Sequence, residues 1–354
     1  MAASDRLERL RRQLRDEGLD GAIISCPENQ RYLAGFTGGT GLLIVSQDAV
    51  ILGTDFIHFE QAKKEATGVQ VVRVKGGMTE GLSQVVHDQV IRRLGFEAEA
   101  VTFAEHERML KEADKLRIEL VPTEGLVESL RAVKEASELD CISRATETAD
   151  RAVAYIARKA RPGMTEREMA WEIERFLREN GSEKVPFPII VASGPNAALP
   201  HAVPTERAIS PGDPVIIDLG ATVEGYSSDL SRTLCLGTPD EKYAEVYGLV
   251  LKAQLFALEG LRVGMTGAQV DSLARQVIKE AGYGDAFGHG LGHGVGLAVH
   301  EKPRLGPNSD DLIVEDMVFT IEPGIYLPGW GGVRIEDTVV VRDGKAEALT
   351  RADK

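Results

Sequence analysis

The chain has 354 residues with 43% hydrophobic content, enough for two domains that each bury a core. Its formal net charge of −14 would repel a nucleic acid or an anionic membrane, and it leaves small molecules, peptides or cations as partners. The cysteines, Cys26, Cys141 and Cys235, have no CxxC spacing and predict buried thiols in a reducing compartment. A charged N-terminal segment and the lack of an apolar stretch of ~18 residues predict a soluble, cytoplasmic protein.

The first 125 residues alternate helical and strand patterns. Leu7, Leu10 and Leu14 recur at helical spacing, and Gly18 can end that helix before AIISC, which predicts a buried strand. GLLIVSQDAVIL predicts two strands around a turn, and VQVVRV predicts another. FIHFEQAKKEA, GLSQVVHDQVIRRLG and AEHERMLKEA predict helices. This alternation predicts an α/β domain, and the charge-rich helical pattern after it predicts one or two long helices leading into a second domain.

The second domain contains an internal repeat. RPGMTE at residues 161–166 returns as RVGMTG at residues 262–267, and each copy precedes an amphipathic helix. Thr165 with Glu168, and Thr266 with Gln269, have the spacing of a capping box. A glycine-containing stop, a strand-like region and a hairpin follow each helix. A pseudo-duplicated domain of this kind would bring two equivalent hairpins face to face, with a site where they meet.

Each predicted hairpin carries two carboxylates. Asp218 and Glu322 end apolar runs, and turns near residues 223–225 and 328–332 would place Asp229 opposite Asp218 and Glu336 opposite Glu322. Opposed side chains have Cβ atoms about 5 Å apart, where like charges are destabilising. Any one of these acids alone would more often be a solvated residue at a strand end. Four in matched positions favour a metal site, with ligands for two divalent ions about 3.5–4 Å apart.

Histidine and glycine alternate in the stretch HGLGHGVGLAVH at residues 289–300. No single regular element would bring its three imidazoles together, because on a strand His289 and His293 share a face while His300 points to the other side. His201, in the loop LPHAVP, has a position in the first half comparable to that of His300. The residues alone therefore leave four candidates for one nitrogen ligand.

Several motifs together resemble those of the pita-bread metallopeptidases, and within them the Xaa-Pro group that contains prolidase and aminopeptidase P. The segment NQRYLAGFTG resembles the creatinase-type N-terminal domain, and RAVKEASELDCISRA resembles the linker helix. Six further motifs resemble those of the family's catalytic domain: PHA, DLG, GYSSDLSRT, GHGVGLAVHE, IEPG and RIED. The likeness covers nearly the whole chain. It implies an α/β fold with a creatinase-type N-terminal α/β domain over residues 1–125, a linker helix region over 126–160 and a pseudo-twofold pita-bread catalytic domain of α+β type over 161–354.

Carried across residue by residue, the resemblance also implies a ligand set. The five metal ligands would be Asp218, Asp229, His293, Glu322 and Glu336. Asp229 and Glu336 would bridge two divalent ions, and a water or hydroxide between the ions would be the nucleophile. Oxygen-rich ligation favours Mn²⁺, with Co²⁺, Fe²⁺ and Zn²⁺ as alternatives.

The resemblance also implies that Glu322 is the proton shuttle to the leaving proline nitrogen. It further implies roles for residues outside the ligand set. Substrate would be held, and the oxyanion stabilised, by His201, His289 and His300. Arg334, on the strand face of Glu336, would orient that carboxylate or meet the carboxylate of the substrate.

The implied reaction is hydrolysis of the Xaa-Pro bond by a homodimer, with dipeptides favoured. This tertiary amide lacks the N–H that most peptidases bind. Aminopeptidase P, which acts on longer Xaa-Pro-Yaa peptides, shares every motif and is the alternative. A non-catalytic peptide-binding relative and metal-free creatinase are disfavoured because all five ligands are kept, and methionine aminopeptidase generally lacks such an N-terminal domain. The segment DFIHFEQA departs from the Asp-x-Arg-Tyr run usual in the group and leaves the substrate preference open.

Overall fold

The structure, a computed structural model, describes residues 3–77, 79, 81–86 and 90–354. The chain divides into two compact units, residues 1–131 and 132–354, each with its own apolar cores. The predicted boundaries at residues 125 and 160 stay a prediction. Among the described residues, no helix has both the length and the apolar character that crossing a membrane requires.

The first unit is built on a mixed sheet. Its elements are α1 (Ala3–Asp16), β1 (Gly21–Ile24), α2 (Pro27–Ala34), β2 (Leu42–Ser46), β3 (Val50–Thr54), α3 (Phe59–Glu65), β4 (Gln70–Arg73), α4 (Leu82–Val85), β5 (Arg93–Glu97), α5 (Phe103–Leu116), β6 (Glu119–Thr123) and α6 (Leu126–Ala132). The strand order is β4-β3-β2-β1-β5-β6, with antiparallel pairs around β2 and parallel pairs elsewhere. The predicted α/β character of this unit therefore corresponds to the observed elements.

Most of the elements predicted for this unit are present, and one is wrong. The leucines of α1 are buried, and Gly18 follows the helix with a φ of 66°, as the spacing predicts. GLSQVVHDQVIRRLG, however, is not one helix over residues 81–95. It begins as the short α4 and ends in β5, whose Leu94 and Phe96 are buried between β1 and β6. Pairing on both sides decided the conformation of this segment over its helical pattern. Residues 87–89 lie outside the described residues.

The second unit contains two sets of helices and antiparallel strands. Its helices are α7 (Ala136–Lys159), α8 (Glu166–Glu179), α9 (Glu241–Gly260) and α10 (Gly267–Glu280). Its strands are β7 (Ile190–Ser193), β8 (Pro214–Leu219), β9 (Thr222–Val223), β10 (Tyr226–Ser227), β11 (Leu230–Cys235), β12 (Gly292–Gly294), β13 (Glu301–Leu305), β14 (Val318–Ile321), β15 (Gly324–Leu327), β16 (Gly331–Arg334), β17 (Asp337–Arg342) and β18 (Lys345–Ala348).

These elements form two similar halves. In the first, α7 and α8 pack on the sheet β11-β8-β7 around one apolar cluster. In the second, α9 and α10 pack on the sheet β13-β12-β14-β17-β18 around another. Both predicted capping boxes are present: the Thr165 side chain accepts from the amide of Glu168, and the Thr266 side chain from that of Gln269. The repeated motif therefore starts equivalent helices in the two halves.

The two hairpins differ from each other in register. On either side of Glu322 and Glu336, Ile321 pairs with Asp337 and Gly324 with Arg334, so the two glutamates lie across from one another as predicted. In the first hairpin, Asp218 pairs with Ser231, and the prediction that Asp229 faces it is wrong by two residues.

The cause of this shift lies in the turn of the first hairpin. Glu224 and Gly225 have φ angles of 47° and 77° and form its centre, between β9 and β10. A two-residue turn at this position sets the pairing of the whole hairpin. Asp229 consequently lies between β10 and β11, nearer the turn than Asp218.

A buried ion pair fixes the start of β13. Lys134 Nζ lies 2.8 Å from Glu301 Oε1, and the two side chains are 1% and 3% exposed. The other carboxylate oxygen of Glu301 accepts from the amide of Ala298, in the loop that ends at His300. Because a buried charge that loses its partner is costly, this pair holds the loop before β13 to the start of the unit.

We expect Lys134→Met to lower the free energy of unfolding by about 3–5 kcal/mol, because Glu301 would keep a buried charge without its ammonium partner. Chemical denaturation at pH 7 measures the change. Lys302→Met is the matched control: its Nζ lies 3.3 Å from Asp311, but the lysine side chain is 47% exposed. The control should lose at most about 1 kcal/mol. Equal losses in the two variants would contradict the importance of the buried pair.

Candidate metal centre

A pocket of about 420 Å³ opens within the second unit. All nine residues that the sequence predicts as ligands or substrate contacts line it, from both hairpins and both histidine-bearing loops. The remainder of the lining is largely apolar and includes Phe187, Ile190, Ala202 and Val203. The pocket thus joins a group of acids and imidazoles to an apolar wall.

Three of the predicted ligands converge closely. Asp229, His293 and Glu336 each offer a ligand atom, and these atoms lie within 4.8 Å of one another. His293 Nε2 lies 3.6 Å from Asp229 Oδ2 and 3.4 Å from Glu322 Oε1. Among the described residues, His293 is therefore the one of the four candidate histidines whose ring nitrogen lies close to two carboxylates.

Strand alternation brings the carboxylates to this place. Ile217, Ile321 and Ile335 are fully buried on the core side, and each is followed by an acidic residue that points the other way. Because successive side chains in an extended chain alternate between faces, the strands that build the core must present Asp218, Glu322 and Glu336 to the pocket. The apolar core therefore positions the acids.

The electrostatics of the acids are unfavourable without a cation. Burial, followed by repulsion from Glu336 and Asp218, raises the pKa of Asp229 well above its usual value. Burial, followed by repulsion from Glu322, does the same to the pKa of Glu336. Burial is also the main cause that raises the pKa of Glu322 to about 8. These three acids would thus hold protons at neutral pH unless positive charge met them.

Unpaired oxygens in the pocket point to the same conclusion. Asp218 Oδ1 and Glu336 Oε1 are buried and have no hydrogen-bond partner among the described residues. Buried polar atoms normally have partners, so such oxygens need a ligand. Burial lowers the pKa of His293 to about 4, which leaves a neutral imidazole, the form that binds metals. Hard oxygen donors with one nitrogen suit divalent cations, and the residues present fit a metal centre.

Arg334 contributes a guanidinium group to the pocket, and this group binds Asp218. Its Nη2 donates to Asp218 Oδ2 at 2.7 Å, and its Nε donates to Ser231 Oγ at 2.9 Å. The side chain is only 2% exposed. Of the two roles expected for Arg334, the described hydrogen bonds join it to Asp218 and to Ser231, the ladder partner of Asp218, in place of Glu336. Contact with a substrate carboxylate stays a prediction.

Two further polar residues at the site were missed by the sequence analysis: Tyr326 lines the pocket, and Thr320 is fully buried and contacts two of the lining residues. Tyr326 Oη lies 2.9 Å from both His289 Nε2 and Arg334 Nη1, and burial raises the pKa of its hydroxyl to about 12. Thr320 Oγ1 donates to Glu322 Oε1 at 3.1 Å and accepts from the amide of His293. Both residues lie an even number of positions from Glu322, so strand alternation was a signal that could have found them.

The other histidines surround the carboxylates without joining the close cluster. His300 has its ring centroid 4.1 Å from that of His293. The segment of His289 is held by α10, because Arg275 donates to the backbone oxygens of Phe287 and His289. Burial lowers the pKa of His300 and brings that of His289 to about 4. Neutral rings at the pocket wall can both donate and accept hydrogen bonds.

Comparison with known proteins identifies similar chains. Residues 140–343 match metallopeptidase family M24, and residues 6–133 match the creatinase/prolidase N-terminal domain. The Xaa-Pro dipeptidase of Pyrococcus furiosus is 39% identical over 351 residues, 99% of each chain. A solved Xaa-Pro dipeptidase from Bacillus anthracis has a TM-score of 0.95 at 40% identity, covering 100% of this chain and 99% of that one. An X-Pro aminopeptidase from Thermotoga maritima has a TM-score of 0.90 at 37% identity, covering 98% of each.

We expect the metal-free protein to lose stability as the pH rises from about 6.5 to about 8. Histidines contribute little in this window, because His289 and His293 are neutral in the fold and an unfolded histidine has a pKa near 6.5. Glu322, with a pKa of about 8, still binds a proton that the unfolded chain has already released, so rising pH favours unfolding.

Thermal unfolding in a chelator at graded pH measures this effect. Glu322→Gln removes one titrating group, so the decline of stability with pH should be flatter in this variant. In a separate sample without chelator, saturating Mn²⁺ should abolish the decline. An equal decline in Glu322→Gln and the unchanged chain would contradict the assigned cause.

Proposed function

The chain belongs to metallopeptidase family M24, and we propose that it hydrolyses the peptide bond between a residue and proline. The family and the fold that the sequence motifs indicated, a creatinase-type N-terminal domain with a pita-bread domain, are confirmed by the matches. The observation that carries the proposed activity is the pocket in which four acids, two buried and two partly buried, meet His293. Relatives about two fifths identical over their whole length and named Xaa-Pro dipeptidases support the substrate.

The proposed cofactor is a pair of divalent ions, with Mn²⁺ favoured by the oxygen-rich donor set. Asp229 and Glu336, the most buried of the acids, would bridge the ions, with Asp218, His293 and Glu322 as terminal ligands. Two ions in such a site lower the pKa of bound water and polarise the carbonyl that is attacked. The two orphaned carboxylate oxygens and the raised pKa values support this assignment.

Glu322 is proposed to transfer the proton to the leaving nitrogen of proline. Thr320 Oγ1 donates to its Oε1 at 3.1 Å and holds the carboxylate at the pocket, 3.4 Å from His293 Nε2. A carboxylate fixed in this way can carry a proton to a leaving group. The transfer matters for this substrate because the proline nitrogen leaves as a secondary amine that must be protonated. Arg334, through its bond to Asp218, would keep that ligand oriented.

The three remaining histidines would bind substrate. His201 and His300 are exposed to the pocket, and His289 is fixed by Tyr326. Imidazole N–H groups can donate to the peptide carbonyl and stabilise the charge that develops on its oxygen. The apolar wall around Phe187 and Ile190 would receive the apolar parts of the peptide. The homodimer, which rests on the resemblance, and the cytoplasmic location, which rests on the composition, remain part of this proposal.

We expect the protein loaded with Mn²⁺ to cleave Leu-Pro faster than Leu-Pro-Gly, and Leu-Ala hardly at all. Initial rates on the three peptides, together with elemental analysis of the purified protein, test this. Aminopeptidase P activity is the second candidate, because a structure named X-Pro aminopeptidase also matches over nearly the whole chain. Faster tripeptide cleavage would select it. No activity with Mn²⁺, Co²⁺, Fe²⁺ or Zn²⁺ would refute both.

We expect Asp229→Asn to lose bound metal and at least about 10²-fold in kcat/KM, because a bridging ligand matters more than the residues that support one. The metal-free variant should be at least as stable as the metal-free unchanged chain, since Asp229 lies among like charges. Metal content, kcat/KM and thermal unfolding measure these outcomes. Asp310→Asn, at an exposed acid, is the control and should change none of them. Full activity of Asp229→Asn would remove Asp229 from the ligand set.

A further inference from the structure

Glu166, the first residue of α8, is fully buried and binds both ends of one loop. Its Oε1 accepts from the amide of Ser193 at 2.7 Å and from Ser193 Oγ at 2.8 Å. Its Oε2 accepts from the amide of Thr205 at 3.0 Å and from Thr205 Oγ1 at 2.6 Å. Asn196 Nδ2 lies 3.1 Å from both oxygens. Every acceptor position of this carboxylate is used on the loop.

The segment between these ends, residues 194–204, forms part of the pocket. It carries His201 and the apolar residues Ala202 and Val203, all of which line the pocket. The loop has little regular structure. After a 3₁₀ turn over Gly194–Ala198, its main internal hydrogen bond runs from the amide of Ala202 to the backbone oxygen of Leu199. Val203 is 79% exposed. The middle of the loop is held by a bond from Arg334 Nη1 to the backbone oxygen of Pro200 at 3.3 Å and by the packing of Ala197 and Ala202. With so few bonds within it, the loop also depends on how its ends are held.

We propose that Glu166 is a positioning residue that fixes the loop 194–204 in the geometry that places His201 in the pocket. The inference rests on the proposed function for the role of His201, but the loop contacts stand without it. A buried carboxylate with several donors is a strong and directional anchor, because bonds to an ionised acceptor are about twice as strong as neutral ones. Glu166 lies outside the pocket lining and acts through the loop alone.

The second half anchors its own histidine segment in a comparable way. Asp271 of α10 accepts from the amide of Leu291 at 3.0 Å and binds Arg275, which donates to the backbone oxygen of His289. A buried acid on the helix that follows the repeated motif therefore holds a histidine-bearing segment in each half. Glu166 is the last residue of the first copy, RPGMTE, and glycine takes its place in the second, RVGMTG.

The test compares Glu166→Gln with Glu168→Gln in the full-length, metal-loaded protein. Glutamine at 166 keeps the shape but presents an NH₂ group to donors at one end of the loop, whereas glutamine at 168 still satisfies the capping box. We expect Glu166→Gln to lower kcat/KM about 10–100-fold, as supporting residues typically do, and Glu168→Gln to leave it unchanged. Metal content should be equal in both variants because the loop carries no ligand.

A double-mutant cycle with His201→Ala separates positioning from general damage. If Glu166 acts through His201, the double variant loses no more activity than His201→Ala alone; additive losses would overturn the proposal. Hydrogen exchange of residues 195–205 gives a readout that needs no activity, and it should be faster in Glu166→Gln only. Unchanged exchange in that variant would also overturn it.

If Glu166→Gln folds poorly, a milder variant tests the same contacts. Thr205→Val removes the 2.6 Å bond at one end of the loop and should raise exchange and lower kcat/KM to a smaller extent. An inactive unchanged protein would refute the proposed function, while the exchange comparison would still decide the role of Glu166.

Discussion

Mutual repulsion among the buried carboxylates is the constraint on which the second unit depends. The four acids and Arg334 leave the pocket with three formal negative charges, most of them out of contact with water. One divalent ion would not neutralise that charge. Two would leave a single positive charge, which an anionic nucleophile such as hydroxide would balance. The formal charge of the site is thus compatible with the pair of divalent ions proposed above.

Such a site needs a frame that cannot relax to separate the charges. The two hairpins supply it because each acid alternates with an apolar residue of the core. Behind Glu336, the buried Arg232 donates to the backbone oxygens of Ser231 and Glu336 and to the carboxylate of Asp337, so it links the two hairpins directly. This network prevents the hairpins from moving apart, so without cations the acids relieve their repulsion by holding protons.

The acids that line the pocket could be predicted from the sequence because the signals that mark them lie within short segments of the chain. Alternation marks Glu322 and Glu336 as the polar side of core strands, and the repeated motif reveals the two halves. Register was harder, because the position of a two-residue turn at Glu224 and Gly225 shifts every pairing in the hairpin. Contacts between distant segments were out of reach: neither the bond from Tyr326 to His289 nor the loop contacts of Glu166 have a periodic signature.

Glycine in the histidine-rich stretch sets a distance. A Cβ on Gly292 would lie 2.0 Å from the backbone oxygen of Thr320, and one on Gly294 would lie 2.0 Å from that of Lys302. Larger residues at these positions would push β12 away from both of its neighbours. His293, between them, would then move away from Asp229 and Glu322, from which its Nε2 is now at most 3.6 Å distant. The glycines on either side of the histidine are therefore what allow one imidazole to reach a centre otherwise made of carboxylates.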